Sequence, residues 1–216
     1  NLVFKYLKKI IDKKLLDQNK CINFLDIGCG PAHTFQELSN KYTNIKYIGI
    51  EPRDDFYQEA NKRYSEDKRF TIYKSHCETF LQNFKKTDII LSLDCFEHVP
   101  LDKRNQTLEL IEKIDFKYMF VNVPNEIGPA IFIKNIGSFL MGYFRYKEYS
   151  FIETIYASLY KIDKIKPHYD GHKGFDWRVL YYSLRFFFKV EIQTSPKNFF
   201  PKFLSPSIFF ICKKNS

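Results

Sequence analysis

The sequence has no run of about 18 uncharged apolar residues, the length that a transmembrane helix needs. Lysines interrupt the apolar residues near the start of the chain, which is unlike the apolar core of a secretory signal. The five cysteines are odd in number, form no C-x-x-C pair and lie mostly in apolar segments. The sequence therefore predicts no membrane span, no secretory signal and no disulfide framework, and it indicates a cytoplasmic protein.

Acidic residues are the scarcer charged class, because 25 Asp and Glu stand against 34 Lys and Arg, a formal net charge of +9. A basic surface attracts anions such as a phosphorylated substrate, nucleic acid or a membrane surface, although lysine can also simply be the commonest surface residue. Hydrophobic residues make up 44% of the chain. This composition predicts a single globular domain over residues 1–216.

The first part of the chain carries an amphipathic pattern. Leu7, Ile11 and Leu15 recur every four residues with lysines between them, which predicts an amphipathic helix within residues 1–20. We expect this helix to pack against the domain. A basic helix on a membrane surface or on RNA is the alternative.

Strand-like and helix-like segments then alternate. The predicted strands are Ile22–Ile27, Ile45–Ile50, Phe70–Tyr73, 88–93 and 118–123, and the predicted helices between them are 32–40, 56–64 and 102–114. Regular alternation predicts crossover connections and a mostly parallel sheet covered on both faces. This is a doubly wound α/β domain, in which ligands bind at the carboxyl ends of the strands.

The alternation stops after Pro124. Residues 125–165 are rich in Phe, Tyr, Ile and Leu, and we predict that they form a helical insertion, or a lid over an acceptor site. A helix is predicted at 178–187, followed by strands at 187–193 and 207–213. These two strands bring the sheet to seven strands and are expected to form an antiparallel hairpin at its edge.

The segment FLDIGCGPA, residues 24–32, places two glycines directly after the first strand. Gly28 and Gly30 allow the backbone to approach a ligand closely. A phosphate-binding loop would need G-K-[ST] a few residues later, and this sequence has none there. Glu51 ends the second strand about 20 residues further on, where an acidic side chain can accept both hydrogen bonds of a ribose diol. The pattern therefore indicates a nucleoside pocket.

Four segments resemble motifs of the class I S-adenosylmethionine-dependent methyltransferases, in the same chain order. LDIGCGPA followed by IGIEP is similar to the first two motifs. DIILSLDCFEHVP resembles the fourth-strand motif in its small-molecule methyltransferase form, and YMFVNVPN resembles the fifth strand. The resemblance covers residues 22–125. It implies a Rossmann-like methyltransferase fold, S-adenosyl-L-methionine as cofactor and S-adenosyl-L-homocysteine as product.

The resemblance also implies which residues bind this cofactor. Asp26 and the two glycines would line its methionine end, and Glu51 would hold the ribose hydroxyls. His76 and Cys77 stand where the family contacts the adenine, but the acidic residue usual there is absent or shifted, which leaves the adenine contact open. The residues predicted to bind the cofactor are Asp26, Gly28, Cys29, Gly30, Glu51, Pro52, His76, Cys77, Leu93 and Asp94.

Asp94, Glu97 and His98 have i, i+3, i+4 spacing, so all three are expected to point one way from a turn. With His172, they resemble the metal ligands of ubiquinone-type O-methyltransferases and of small-RNA 2′-O-methyltransferases. The resemblance implies a site for Mg²⁺ or Mn²⁺ at Asp94, Glu97, His98 and His172, with Asp94 shorter than the usual glutamate. Two other interpretations stay open. In the first, Glu97 caps the next helix and His98 packs under the cofactor. In the second, His98 or His172 is a catalytic base that acts without a metal.

The methyl acceptor is the least determined feature. The sequence has LDCF where base N-methyltransferases carry N-P-P-Y or D-P-P-Y, so nucleic acid is not the expected partner. Basic residues occur in and just after the insertion, at Lys134, Arg145, Lys147, Lys161, Lys164 and Lys166. They favour O-methylation of a small phosphate-bearing metabolite, such as a phosphorylated or nucleotide-linked glycan precursor.

Other acceptors and partners stay open at this point. One alternative is a membrane-associated quinone or lipid O-methyltransferase, and another is an RNA 2′-O-methyltransferase. Outside the class, the alternative is a non-catalytic subunit that binds S-adenosylmethionine. The aromatic residues of the insertion are expected to pack against the sheet, with an acceptor pocket or peripheral membrane contact as alternatives. The oligomeric state is left open.

Overall fold

The computed structural model describes residues 7–9, 11–12, 20–140, 142, 149–165, 173–195 and 201–215. The strands are β1 (Ile22–Ile27), β2 (Ile45–Ile50), β3 (Phe70–Tyr73), β4 (Ile89–Leu93), β5 (Tyr118–Pro124), β6 (Phe188–Ser195) and β7 (Ser207–Lys214). The α-helices are α1 (His33–Ser39), α2 (Asp54–Tyr64), α3 (Cys77–Phe80), α4 (Leu101–Glu112), α5 (Pro129–Leu140), α6 (Phe151–Ser158) and α7 (Trp177–Phe187). Within this part of the chain, no helix has both the length and the apolar character to cross a membrane.

The strands form one seven-stranded sheet in the order β3-β2-β1-β4-β5-β7-β6. Strands β1 to β5 are parallel, whereas β7 is antiparallel to both β5 and β6. The predicted fold class is therefore confirmed: the sheet is mostly parallel and ends in an antiparallel hairpin. The strand order reverses between β1 and β4, the position at which doubly wound sheets form a ligand-binding crevice at the carboxyl ends of the strands.

Two apolar layers cover the sheet. On one face, the ring of Phe35 from α1 lies 5.3 Å from the Tyr47 ring and 4.9 Å from the Phe70 ring, so α1 is fixed against β2 and β3. Leu7 and Ile11 are buried in this same cluster, and residues 7–9 and 11–12 are helical. In the predicted helix 1–20, residues 1–6, 10 and 13–19 lie outside the described residues. On the opposite face, α4 and α7 cover the strands.

The insertion contains α5 and α6, which pack against each other. Asn135 Nδ2 donates a hydrogen bond to Thr154 Oγ1 across this contact, over 2.8 Å. Helix α6 begins with a capping box, in which Ser150 accepts a hydrogen bond from the Glu153 N–H and the Glu153 side chain accepts one from the Ser150 N–H. Because α5 starts soon after β5, the insertion leaves the sheet at its ligand-binding edge.

Helix α3 was not predicted from the sequence. It has four residues, too few to show a helical period, and it lies between β3 and β4. The Phe80 ring lies 4.9 Å from the Tyr73 ring and 5.5 Å from the Phe84 ring. Aromatic packing on both sides thus holds a helix that would not form in isolation.

Candidate functional site

The loop after β1 is shaped by two glycines that have different surroundings. Gly28 has φ +70°, and a Cβ added to it would lie 2.4 Å from Cys95 Sγ, so no side chain fits there. Gly30 has φ +54°, but a Cβ added to it would meet nothing within 4 Å. The Gly28 and Cys29 N–H groups donate to the Ile50 carbonyl at the end of β2, over 2.9 Å and 3.1 Å. The loop is thus fixed on its inner side and open at Gly30, where a ligand can approach the backbone.

Glu51 directly follows β2 and is 5% exposed. Its Oε2 accepts a hydrogen bond from the Gly30 N–H and its Oε1 accepts one from the Arg53 N–H, each over 2.9 Å. A carboxylate oxygen can accept a second hydrogen bond. Glu51 is therefore held beside the glycine loop in one orientation, with the capacity to accept from two neighbouring hydroxyls. Pro52, beside it, is exposed.

Asp26 lies under the same loop and is 1% exposed. Its burial raises its pKa from 3.8 to about 6, although the hydrogen bond from the Tyr47 hydroxyl opposes the shift. The negative charge of Glu51 raises the pKa further. Two acidic groups with restricted access to water thus lie close to Gly30. A ligand that brings a positive charge to this place would stabilise both carboxylates.

Asp94 lies directly after β4 and has φ +52°, a left-handed conformation that is strained for a residue with a side chain. Its N–H donates to the Asn122 carbonyl over 3.0 Å, and Asn122 Nδ2 donates to Asp94 Oδ1 over 2.7 Å. Asn122 on β5 therefore fixes both the backbone and the carboxylate of Asp94 at the crevice. The sequence reasoning missed Asn122. The available signal was an amide inside an otherwise apolar strand.

Glu97 and His98 lie in a short 3₁₀ turn, Phe96–His98, that leads toward α4. Glu97 is buried, whereas His98 and Asp94 are exposed. Burial lowers the pKa of Arg104 on α4, and the negative charge of Glu97 opposes this shift, so the two side chains are electrostatically linked. No group of three or more His, Cys, Asp or Glu side chains that could hold a metal ion is found among the described residues. His172 lies outside them.

The other residues predicted to bind the cofactor have mixed surroundings. Cys29 Sγ packs against Gly49, since a Cβ there would lie 2.6 Å from the sulfur. Cys77 Sγ lies 3.3 Å from Thr107 Oγ1 on α4, and burial raises the pKa of both thiols. His76 is exposed just before α3, and Leu93 at the end of β4 is half-buried. Both cysteine side chains thus contact the protein interior.

Comparison with known proteins relates part of this chain to methyltransferases. Residues 24–114 match a family model described as a methyltransferase domain. No curated protein sequence matches the chain. Among solved structures, a small RNA methyltransferase, HEN1, superposes with a TM-score of 0.66 at 16% identity, covering 99% of this chain and 25% of that one. The plantazolicin methyltransferase BpumL, solved in complex with SAH, superposes with a TM-score of 0.65 at 16% identity, covering 99% of this chain and 83% of that one.

A third similar structure is the CurJ carbon methyltransferase, with a TM-score of 0.63 and 15% identity over 98% of this chain. The chain spans 53% of the CurJ structure and 25% of the HEN1 structure. At these identities, the structural likeness shows the fold. It agrees with the sequence match, which covers the loop, the acidic residue after β2 and the turn after β4.

Proposed function

Because residues 24–114 match a methyltransferase domain, we propose that this chain uses S-adenosylmethionine to methylate a hydroxyl group of a small anionic metabolite. A phosphorylated or nucleotide-linked glycan precursor is the acceptor class that we favour. The acceptor would enter the crevice between the ends of β1 and β4. The observation that supports cofactor binding is the orientation of Glu51 beside the open side of Gly30, and the basic residues in and after the insertion favour an anionic acceptor.

The residues at the crevice fit S-adenosylmethionine. Glu51 would accept hydrogen bonds from both ribose hydroxyls, because two backbone N–H groups already hold its carboxylate in place. Asp26 would favour the ammonium group at the methionine end of this ligand. Gly30 lets the loop backbone approach it without a side chain in the way.

Bound S-adenosylmethionine supplies a methyl group on a sulfonium, whose S–C bond breaks as the new O–C bond forms. Transfer to a hydroxyl also requires removal of the hydroxyl proton. We propose that His98 accepts this proton as the general base. His98 is exposed and lies four residues beyond Asp94. Asp94, held by Asn122, would orient the acceptor hydroxyl. Proximity and orientation then supply the larger part of the rate acceleration.

Metal assistance at Asp94, Glu97, His98 and His172 stays a prediction. The described residues do not by themselves complete a ligand set, so no step of the proposed reaction is assigned to a metal. Activity that survives EDTA would contradict metal assistance. Activity that is lost with EDTA and restored by Mg²⁺ or Mn²⁺ would support it.

The binding half of the proposal is tested with the Glu51→Ala variant. Loss of two hydrogen bonds to the ribose should weaken S-adenosylhomocysteine binding by about 1–3 kcal/mol, roughly 5- to 150-fold, in isothermal titration calorimetry. Glu59→Ala is the matched control, since Glu59 is an exposed glutamate on α2. Equal affinity of the Glu51 variant and the wild type would show that the ribose is held elsewhere.

The acceptor is tested by methyl transfer from labelled S-adenosylmethionine to a panel of acceptors. The panel contains nucleotide-linked and phosphorylated sugars, a quinol, a phospholipid and a small RNA. Label in the sugar fraction, abolished by His98→Ala, would support the proposal. Label in the quinol, lipid or RNA fraction would select one of the alternative acceptors. Cofactor binding without label in any fraction would favour the non-catalytic subunit.

A further inference from the structure

Helix α5 exposes its apolar side. Phe132, Ile133, Ile136, Phe139 and Leu140 have exposed side chains, with Phe139 62% and Leu140 78% exposed. Their spacing of i, i+1, i+4, i+7 and i+8 places all five on one side of the helix. A helix at a water-exposed surface normally turns this side toward the protein interior. Helix α5 turns it outward.

Helix α6 repeats this arrangement. Phe151, Ile152 and Ile155 are exposed, as is Leu159 directly after the helix, and Phe151 reaches 75%. Their spacing again defines one side of a helix. Since α5 and α6 pack against each other, we treat these four residues and the five on α5 as one surface, the outer apolar face.

The inner sides of the two helices carry polar and charged groups. Lys134 on α5 is paired with Glu126, which is 1% exposed. Asn135 contacts Thr154 between the helices, and Glu153 on α6 is paired with Lys173 over 2.7 Å. The inner side thus holds these polar pairs beside a small buried apolar cluster that includes Ile131 and Ala157, while most of the large apolar side chains of the two helices face outward. Large exposed apolar patches mark binding surfaces in soluble proteins.

The charges of this segment favour an anionic occupant. Residues 127–166 contain six basic and three acidic residues, and one of the basic residues, Lys134, is paired with Glu126 on the inner side. Two of these acids, Glu153 and Asp163, are paired with lysines, and Lys161 is exposed just beyond α6. A second copy of this chain would bring the same excess of positive charge against itself. An anionic lipid surface offers both apolar tails and negative headgroups to such a helix pair.

We propose that the outer apolar face binds the surface of an anionic lipid bilayer. The helices lie flat on the membrane, with their outward apolar side chains among the upper acyl chains and Lys161 at the headgroups. Because α5 follows the carboxyl end of β5, this binding would hold the ligand-binding edge of the sheet near the membrane. The proposal concerns attachment and does not depend on the identity of the methyl acceptor.

The experiment is flotation of the full chain with vesicles of phosphatidylglycerol and phosphatidylcholine, compared with vesicles of phosphatidylcholine alone. Wild type should bind the anionic vesicles more strongly, and high salt should weaken this binding. A Phe139→Ser, Leu140→Ser double variant should bind them at least about tenfold more weakly, because it removes two large apolar contacts. Unchanged binding of this variant would overturn the proposal.

Phe186→Ser is the matched control. Phe186 is 79% exposed near the end of α7, close to the first residue of β6. It therefore lies at the amino-terminal ends of the parallel strands, opposite the carboxyl ends from which α5 leaves the sheet. This control should bind vesicles as the wild type does. S-adenosylhomocysteine affinity should be the same in all three proteins, which shows that the double variant is folded.

Two further outcomes would overturn the proposal. One is failure of the wild type to float with anionic vesicles at low salt. The other is a dimer in light scattering that the double variant abolishes, because a second copy would then occupy the face. The Glu51→Ala variant should float as the wild type does. Failure of membrane binding is thus distinguishable from failure of the proposed methyl transfer.

Discussion

The strands and helices of residues 22–124 and the helical segment of residues 125–165 place their apolar side chains in opposite ways. In the first region, α1 and α4 turn apolar residues such as Phe35 and Leu108 toward the sheet. In the second region, α5 and α6 turn Phe139 and Phe151 toward solvent. The apolar sides of the helices in the first region are therefore buried within the chain, whereas the second region presents apolar side chains to solvent. An exposed apolar side of a helix indicates a binding surface, but the nature of the partner has to be inferred from other features, such as the surrounding charges.

The largest effect is expected at Gly28 in the first region, where the fold leaves no room for a side chain. Gly28→Ala should lower the free energy of unfolding by about 2–5 kcal/mol, because the new methyl group meets Cys95 and the backbone is left-handed. Urea denaturation measures this loss. Gly30→Ala is the control, with about 1–2 kcal/mol expected from the backbone alone. Equal losses in the two variants would contradict the difference in packing.

The buried carboxyl of Asp26 should make the stability of this region depend on pH. Its pKa is about 6 in the folded protein and 3.8 as its ordinary value, so the unfolded chain loses this proton first. The group therefore contributes stability below about pH 4 that is lost as the pH rises toward 6. Relative to Asp26→Asn, the wild type should lose about 2–3 kcal/mol of unfolding free energy across that range. A constant difference between the two proteins would mean that Asp26 titrates normally.

The contact between Asn122 and Asp94 should be measurable as a coupling. Asn122→Ala removes the hydrogen bond to the Asp94 carboxylate, and Asp94→Gly removes both this carboxylate and the backbone strain. A double-mutant cycle on unfolding free energies should give a coupling of about 1–2 kcal/mol. Additive losses would show that the contact does not stabilise the crevice.

The smallest expected effect belongs to the second region. Ser150→Ala removes the capping box of α6 and should lower the free energy of unfolding by about 1 kcal/mol. Ser158→Ala, at the other end of the same helix, should cost less than about 0.5 kcal/mol, since its hydroxyl bonds only to the Ile155 carbonyl. A loss for Ser150→Ala as small as that of the control would mean that α6 does not depend on its cap.

Much of the first region was predictable because its signals are local. The predicted bounds of β1, β2 and β3 coincide with the observed strands, since short apolar runs there end at glycine or polar residues. Gly28, Gly30 and Glu51 were predicted from their spacing along the chain. The roles of Tyr47 and Asn122 were not, because each depends on a neighbouring strand. Tyr47 reaches Asp26 across the β1–β2 pair, and Asn122 reaches Asp94 across the ends of β4 and β5.

The sequence by itself determined the alternation of strands and helices, the glycine loop and the acidic residue that follows the second strand. These features depend on residues that are close along the chain, where periodicity and backbone freedom act. The tertiary structure decided which carboxylates are buried, that Asn122 holds Asp94, and that the apolar sides of α5 and α6 face outward. Periodicity shows that a helix has an apolar side, but only the packing of the whole chain determines which way that side points.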